Sequence, residues 1–268
     1  MEYAILLIEL LYASALLVAL YFFIVTRGSL FIQSLYKGRG SSSHIYWIYS
    51  NRFLIWLTDR SFIISAILLF NYHKLVDGVV SSLNPALEGK SVLQASCAFG
   101  NMSQRLVERC ASEGVKRVVI FDLIPNEIRH TRKKLAKTTA DDRCLMLLED
   151  AADIAHKDES FDYVVLFFLF HELPLEKKSR VLKEAARVVK PGGRIVFGEF
   201  HKPGPWLLRA SGNLFFKVFE PYAREMWDSF DPVRILNGET PNRWEFAKST
   251  YFWGNYQVFS ATKVHPST

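Results

Sequence analysis

The hydrophobic pattern divides the chain into three stretches. From Tyr3 to Val25 nearly every position is apolar, and Glu9 alone interrupts the run. A run of that length crosses a hydrocarbon core of about 30 Å as one helix. Glu2 stands where a secretory signal would carry Lys or Arg, and the run is too long for one. One transmembrane helix is therefore expected, with a helix buried against membrane or protein as the alternative. Basic residues follow at Arg27, Lys37 and Arg39. The positive-inside rule then sets the rest of the chain on the cytoplasmic or matrix side of a bacterial or mitochondrial inner membrane. Gly38-Arg39-Gly40-Ser41-Ser42-Ser43 has the composition of a flexible linker. Residues 1–52 form this membrane segment and linker.

A second apolar block, Phe53 to Phe70, contains Asp59 and Arg60. A charged pair in mid-span is costly. The pattern predicts instead that Asp59 caps a helix running to about Val80, with Phe62, Ala66, Leu69, Leu75 and Val76 among its apolar positions. Residues 53–86 then form an amphipathic helix that lies in the membrane interface or lids the domain behind it, or an ordinary core helix of that domain.

From Leu87 onward strands and helices alternate. Strands are predicted at Ser91–Ser96, Arg117–Phe121, Cys144–Leu148, Tyr163–Phe168 and Arg194–Phe200. Helices are predicted at Met102–Glu113, Pro125–Lys137 and Leu175–Val189. Such alternation means an α/β fold with a doubly wound parallel sheet, over residues 87–268. Ligands of such sheets sit beyond the carboxyl ends of the strands.

Composition changes this picture little. Half of the 268 residues are apolar and 14% are aromatic, enough for a substantial core. The net charge of +6 comes from 33 basic and 27 acidic residues, a mild excess that suits an anionic membrane surface or a solvated face. No basic stripe with interleaved aromatics accompanies it, so nucleic acid is not expected as a partner. Cys97, Cys110 and Cys144 show no paired spacing. They form no disulfide framework or cysteine zinc site, and a reducing compartment follows.

The candidate chemistry lies at the strand ends. The first strand leads into Gln94-Ala95-Ser96-Cys97-Ala98-Phe99-Gly100-Asn101 and the second ends at Asp122. A carboxylate there can accept from both hydroxyls of a ribose, or it is a solvated strand-end acid. Glu149-Asp150-Ala151 closes the third strand, and Asp150 is equally readable as a helix cap. His171 and Glu172 follow the fourth strand, placed to act as acid, base or ligand. They are equally readable as a helix-capping or mutually paired couple. The aromatic residues Trp206, Phe215, Phe216, Phe219, Trp227, Trp244, Phe252 and Trp253 suit a greasy substrate, although most are expected to build core. The basic run Arg129, His130, Arg132, Lys133 and Lys134 reads as a solvated helix face.

The helix Leu182–Val189, then Lys190-Pro191-Gly192-Gly193, then a strand from Arg194 resembles class I methyltransferases. Pro191 and Gly192 are expected to stop the helix and Gly193 to turn the chain. The loop after the first strand resembles that family's glycine-rich motif. Gln94 stands in place of its acid and Ser96 and Ala98 in place of glycines. Leu166-Phe167-Phe168-Leu169-Phe170-His171-Glu172-Leu173-Pro174, His201-Lys202-Pro203, Phe219-Glu220-Pro221 and Ala247–Gln257 resemble the rhodoquinone biosynthesis proteins. These are relatives of the ubiquinone and menaquinone C-methyltransferases, and the resemblance covers roughly residues 55–263. It implies S-adenosylmethionine as cofactor, with Gln94, Cys97, Phe99, Gly100, Asp122, Asp150, Ala151 and Phe167 around it. His171, Glu172 and Asn101 are implied as catalytic residues, ubiquinone as substrate, and exchange of a ring methoxy for an amino group, manganese (Mn2+) assisting. Asn101 departs from the acid usual after the loop glycine and adds no negative charge. Two other readings stand beside this one: ordinary methylation of a quinone or another lipid, and a non-catalytic membrane scaffold whose loop has lost its glycines.

Overall fold

The computed structural model describes residues 2–21, 55–56, 59–83, 87–97, 99–136, 144–240 and 242–264. The expected linker, the basic residues Arg27, Lys37 and Arg39, and Ala98 lie outside them. The apolar N-terminus forms α1 (Glu2–Tyr21), whose Leu7, Leu11 and Leu17 are all exposed. Among the described residues no single helix is long and apolar enough to cross a membrane, and the described apolar stretch of α1 is Leu6–Leu17.

The helix expected from Asp59 to Val80 is two helices, α2 (Ser61–Ile67) and α3 (Tyr72–Ser81), bent by 100°. Leu69 and Phe70 take positive φ angles of 50° and 60°, and the Asn71 side-chain amide donates to Leu69 O at 2.7 Å. Local turn chemistry therefore overrides the apolar periodicity. Asp59 does not cap: position 60 precedes α2, and no side chain caps it. α3 buries Tyr72, Leu75, Val76, Val79 and Val80 against the sheet, so it is a core helix of the domain.

The strands are β1 (Ser91–Ala95), β2 (Arg117–Asp122), β3 (Cys144–Leu148), β4 (Phe161–Phe167), β5 (Val189–Phe200), β6 (Trp244–Tyr251) and β7 (Tyr256–Lys263). The helices between them are α4 (Met102–Ser112), α5 (Pro125–Leu135), α6 (Leu175–Val188), α7 (Trp206–Phe219), α8 (Glu225–Asp228) and α9 (Pro232–Glu239). The strands form one sheet in the order β3-β2-β1-β4-β5-β7-β6. β1 to β5 run parallel, and β7 is antiparallel to both β5 and β6. The sheet is thus mixed, not all parallel as expected.

Period-two alternation divides the core. Val92, Ile120, Val165 and Val196 face the layer holding α3 and α4. Leu93, Val119, Val164, Leu166 and Ile195 face α6 and α9. Strands covered on both faces read as continuous apolar runs. Each such side chain contributes roughly 1.5–3 kcal/mol by leaving water.

The helix-to-strand junction also differs from expectation. α6 ends at Val188, before Lys190-Pro191-Gly192-Gly193, and the strand already begins at Val189. Pro191 and Gly192 therefore do not stop the helix. They form an irregularity inside β5, where Phe161 pairs with Val189 but Tyr163 pairs with Arg194. A Cβ on Gly193 would press on Asp162 O at 2.7 Å, and Asp162 holds Ser91 N and Lys190 Nζ at 2.9 and 2.8 Å. The motif pins β1, β4 and β5 together.

Candidate active site

The carboxyl edges of β1, β2, β4 and β5 bring the polar groups together. Asp122, at the end of β2, is 7% exposed. Its Oδ2 accepts from Cys97 N at 2.8 Å and its Oδ1 from Ile124 N at 2.8 Å. It therefore ties the β1 loop to the start of α5. Burial pushes its carboxyl up to about 7 against those amide bonds, and Glu172 adds to the rise. Glu127, on the first turn of α5, is also buried and is pushed well above the carboxylate range by burial, Asp122 and Asp59. Sequence reading missed it, because an acid in a first helical turn is ordinarily solvated.

The β1 loop is held from above and below. Ser96 stands at φ 69°, where a glycine would be unstrained, so the serine carries a backbone cost of about 1–2 kcal/mol. Gly100 takes φ 78°, and a Cβ there would collide with the Tyr72 hydroxyl. That hydroxyl accepts from Asn101 N at 2.7 Å and donates to Phe99 O at 3.3 Å. Gln94 turns its amide inward, donating to Ser103 Oγ at 2.8 Å and Ser96 O at 3.0 Å. Its Oε1 and the Oδ1 of Asn101 are buried without a hydrogen-bond partner among the described residues. The Cys97 thiol is raised well above its ordinary range by burial and by Asp122.

Asp59 is the other residue that sequence reading placed wrongly. Its side chain is fully buried and accepts from Gly100 N. Nε2 of His130 lies 2.6 Å away and Lys134 Nζ 2.7 Å away, and Lys134 also donates to Gly100 O at 2.7 Å. The acid in the apolar block is thus the tie between the N-terminal cover and the loop. His130 and Lys134, expected on a solvated face, point inward to meet it.

After β4 the chain passes through Phe168 at φ 52° into a short 3-10 turn, Phe170–Glu172. His171 is buried, and its Nδ1 and its backbone N both lie 3.1 Å from Glu199 Oε1. Glu199, at the end of β5, is fully buried, and its Oε2 accepts from Phe200 N at 2.9 Å. Nε2 of His171 is 3.9 Å from Glu172. Burial alone would lower the imidazole, but Glu199, with Glu220 and Glu172, holds it up at about 9. The chief partner of His171 is therefore Glu199, 28 positions away in the chain, with the expected Glu172 a weaker second, and no side chain caps a helix here.

The remaining expected residues divide. Asp150 does not cap a helix: its Oδ1 accepts from Ala152 N at 2.9 Å in a tight turn, and Ala151 is buried beside it. Phe167 is a core residue, its ring edge-on to Tyr72 at 6.1 Å and to Phe168 at 5.0 Å. Phe168 in turn meets His171 at 5.7 Å. Of the three residues expected to be catalytic, His171 and Glu172 meet at 3.9 Å, and the row of rings leads from His171 to Tyr72, whose hydroxyl holds Asn101 N.

Two cofactor expectations can be tested on these atoms. The orphaned acceptors Gln94 Oε1 and Asn101 Oδ1, the positive-φ loop at Gly100 and the strand-end carboxyl of Asp122 fit a nucleoside carrying an amino-acid group. Manganese does not fit, because no group of three or more His, Cys, Asp or Glu converges as a metal site among the described residues.

This sheet order, with its antiparallel seventh strand and a loop-and-acid pair at the first two strand ends, defines a class I methyltransferase fold. Solved structures agree on the fold. The magnesium protoporphyrin IX methyltransferase of Synechocystis PCC 6803, with bound SAM, superposes with a TM-score of 0.56 at 15% identity, covering 81% of this chain and 93% of that one. The chain belongs to the ubiE/COQ5 methyltransferase family, whose model matches residues 58–237. A demethylmenaquinone methyltransferase of Clavibacter sepedonicus is 34% identical over 165 residues, 62% of this chain and 63% of that protein. One from Bacillus velezensis is 27% identical over 163 residues, 61% of this chain and 68% of that protein. The match thus spans just under two thirds of the Clavibacter relative's length.

Proposed function

We propose that this chain is a membrane-associated, S-adenosylmethionine-using enzyme that modifies the ring of a lipid quinone, replacing a ring methoxy of ubiquinone with an amino group. One observation carries the quinone side of this reading. The segments that resemble the rhodoquinone proteins are far apart in sequence, yet they form one wall. His201 N donates to Asn255 O at 2.8 Å, Phe200 packs on Tyr256 at 5.7 Å and on His171 at 5.1 Å, and Glu220 acts electrostatically on His171. The cofactor, when bound, supplies the group that is transferred. Asp122 would accept from its ribose, and Asn101 and Gln94 would meet its polar end.

The chain's own chemistry falls to His171. An imidazole held at about 9 is charged near neutrality. It is therefore suited to donate a proton or hydrogen bond to the quinone carbonyl oxygen as negative charge develops there, and not to remove a proton. Glu199 accepts from Nδ1 and so fixes the orientation of the ring. The carbonyl is polarised in this reading without a metal.

A second reading, carbon methylation, is favoured by the demethylmenaquinone methyltransferases among the relatives. The two predict opposite mass changes. Mass spectrometry after incubation with S-adenosylmethionine is expected to show a loss of about 15 mass units from ubiquinone, whereas a gain of about 14 on a demethylated quinone, whose ring keeps an open carbon, would establish methylation instead. A quinone unchanged in both assays would put the non-catalytic scaffold in front.

The membrane side rests on the apolar N-terminus, whose described portion forms α1 with exposed leucines. The protein is expected to sediment with membranes and to resist extraction by high salt, since salt screens charges but not apolar contacts. Release of the intact chain by salt alone would remove the anchor from this reading.

A further inference from the structure

A solvated helix on a domain surface ordinarily turns its polar face outward. α7 does the reverse. Trp206, Leu207, Ala210, Leu214 and Lys217 lie on one arc of the helix, and all are exposed; Trp206, Leu207 and Leu214 are 71%, 63% and 66% accessible. The opposite arc faces inward: Phe216 is buried against Phe200 and Trp227, and a Cβ at Gly212 would strike the Trp227 ring at 2.6 Å. The orientation is therefore set by close packing, and rotation of the helix cannot bury its apolar outer arc. Trp253, 71% exposed, adjoins the start of the helix, since its carbonyl accepts from Gly204 N at 3.1 Å. Single exposed apolar residues are ordinary, but a clustered set marks a surface with a partner.

Charge identifies the partner. Residues 201–219 carry Lys202, Arg209 and Lys217 and no Asp or Glu. The adjoining Asp228 pairs with Lys202 at 3.0 Å and with Arg224 at 3.2 Å, so the positive charge of the helix face comes from the exposed Arg209 and Lys217. We propose that the outer face of α7, with Trp253, docks on an anionic phospholipid bilayer. Tryptophans at one end, leucines along the middle and cations at the flanks are the arrangement of a helix lying in the headgroup plane. The inner face of the same helix reaches the candidate site through Phe216 and Phe200, whose ring stacks edge-on to His171 at 5.1 Å. Docking therefore sets the lipid surface one helix and one ring away from His171. The inference deepens the reading above, on which it rests only for the identity of the substrate.

The test is the full-length chain with a nitroxide on a cysteine introduced as Ala210→Cys, mixed with vesicles of phosphatidylcholine and phosphatidylglycerol, the parent chain giving the labelling background. The label is expected to be more accessible to oxygen than to a water-soluble nickel chelate. Adding Leu207→Glu and Leu214→Glu, both at exposed positions, should abolish that preference while cofactor binding by calorimetry is unchanged. A label that remains in water while the protein sediments with vesicles assigns attachment to α1 alone and overturns the proposal. Dipolar broadening would show a second copy on this face and overturn it as well. Equal immersion in pure phosphatidylcholine overturns the assignment to an anionic surface. An immersed label with no quinone product would sink the substrate reading and leave the docking surface standing.

Discussion

Glu199→Ala is expected to destabilise the fold by about 3–5 kcal/mol, the usual cost of removing one partner from a buried ion pair. The carboxylate accepts from His171 N, His171 Nδ1 and Phe200 N, and it is fully buried. Its loss strands three donors and leaves a buried imidazolium without its main counter-charge. The imidazole should then deprotonate, because burial lowers it once Glu199 no longer holds it up. The pH dependence follows with a definite sign. In the wild type the folded imidazole sits at about 9, above its ordinary 6.5, so the pair contributes stability that is complete below 6.5 and lost as pH rises through about 9. Urea denaturation across that window should show the decline in the wild type and its absence in the variant. Nuclear magnetic resonance of the His171 ring gives the same answer directly. A variant with wild-type stability and an unshifted His171 titration would show that the pair does not matter to the fold.

Asp122→Ala is expected to weaken S-adenosylmethionine binding by about 1–3 kcal/mol, the size of a lost hydrogen bond to a charged group. Its effect should depend on pH. Without cofactor the carboxyl is held at about 7 by burial, so near neutrality a substantial fraction is protonated. A ribose needs the ionised acceptor, and wild-type affinity should therefore fall as pH drops below about 7. Binding near neutrality should release protons, which calorimetry in buffers of different ionisation enthalpy detects. Stability runs the opposite way: the raised carboxyl contributes stability fully present below its ordinary 3.8 and lost as pH rises through about 7. An affinity that is flat across neutrality, or unaltered by the substitution, would remove Asp122 from the cofactor site.

Much of the scaffold was legible in the sequence because buried parallel strands leave a local signature. Ser91–Ala95 and Arg117–Asp122 lie within a residue of their expected bounds, since runs such as Val118-Val119-Ile120-Phe121 have one stable environment, the middle of a covered sheet. The strand-end position of Asp122 was legible for the same reason, as the first acid after such a run. The break at Leu69 and Phe70 was not, because two apolar residues at positive φ leave no mark in hydrophobic periodicity. The irregular start of β5 hid behind a motif that ordinarily ends helices.

The pattern of apolar residues along the chain determined the order of strands and helices between Ser91 and Phe200 and the strand ends where polar groups collect, because each depends on periods of two or 3.6 within a few neighbouring residues; the helices and the antiparallel pair after Phe200 were not read from it. Only the tertiary structure decided which polar groups meet. Asp59 reaches Gly100, His130 and Lys134 from 41 to 75 positions away in the chain, and Glu199 reaches His171 across 28. A carboxylate's partner is whichever donor the packing of the layers delivers into the same dry volume, and no local period encodes that distance.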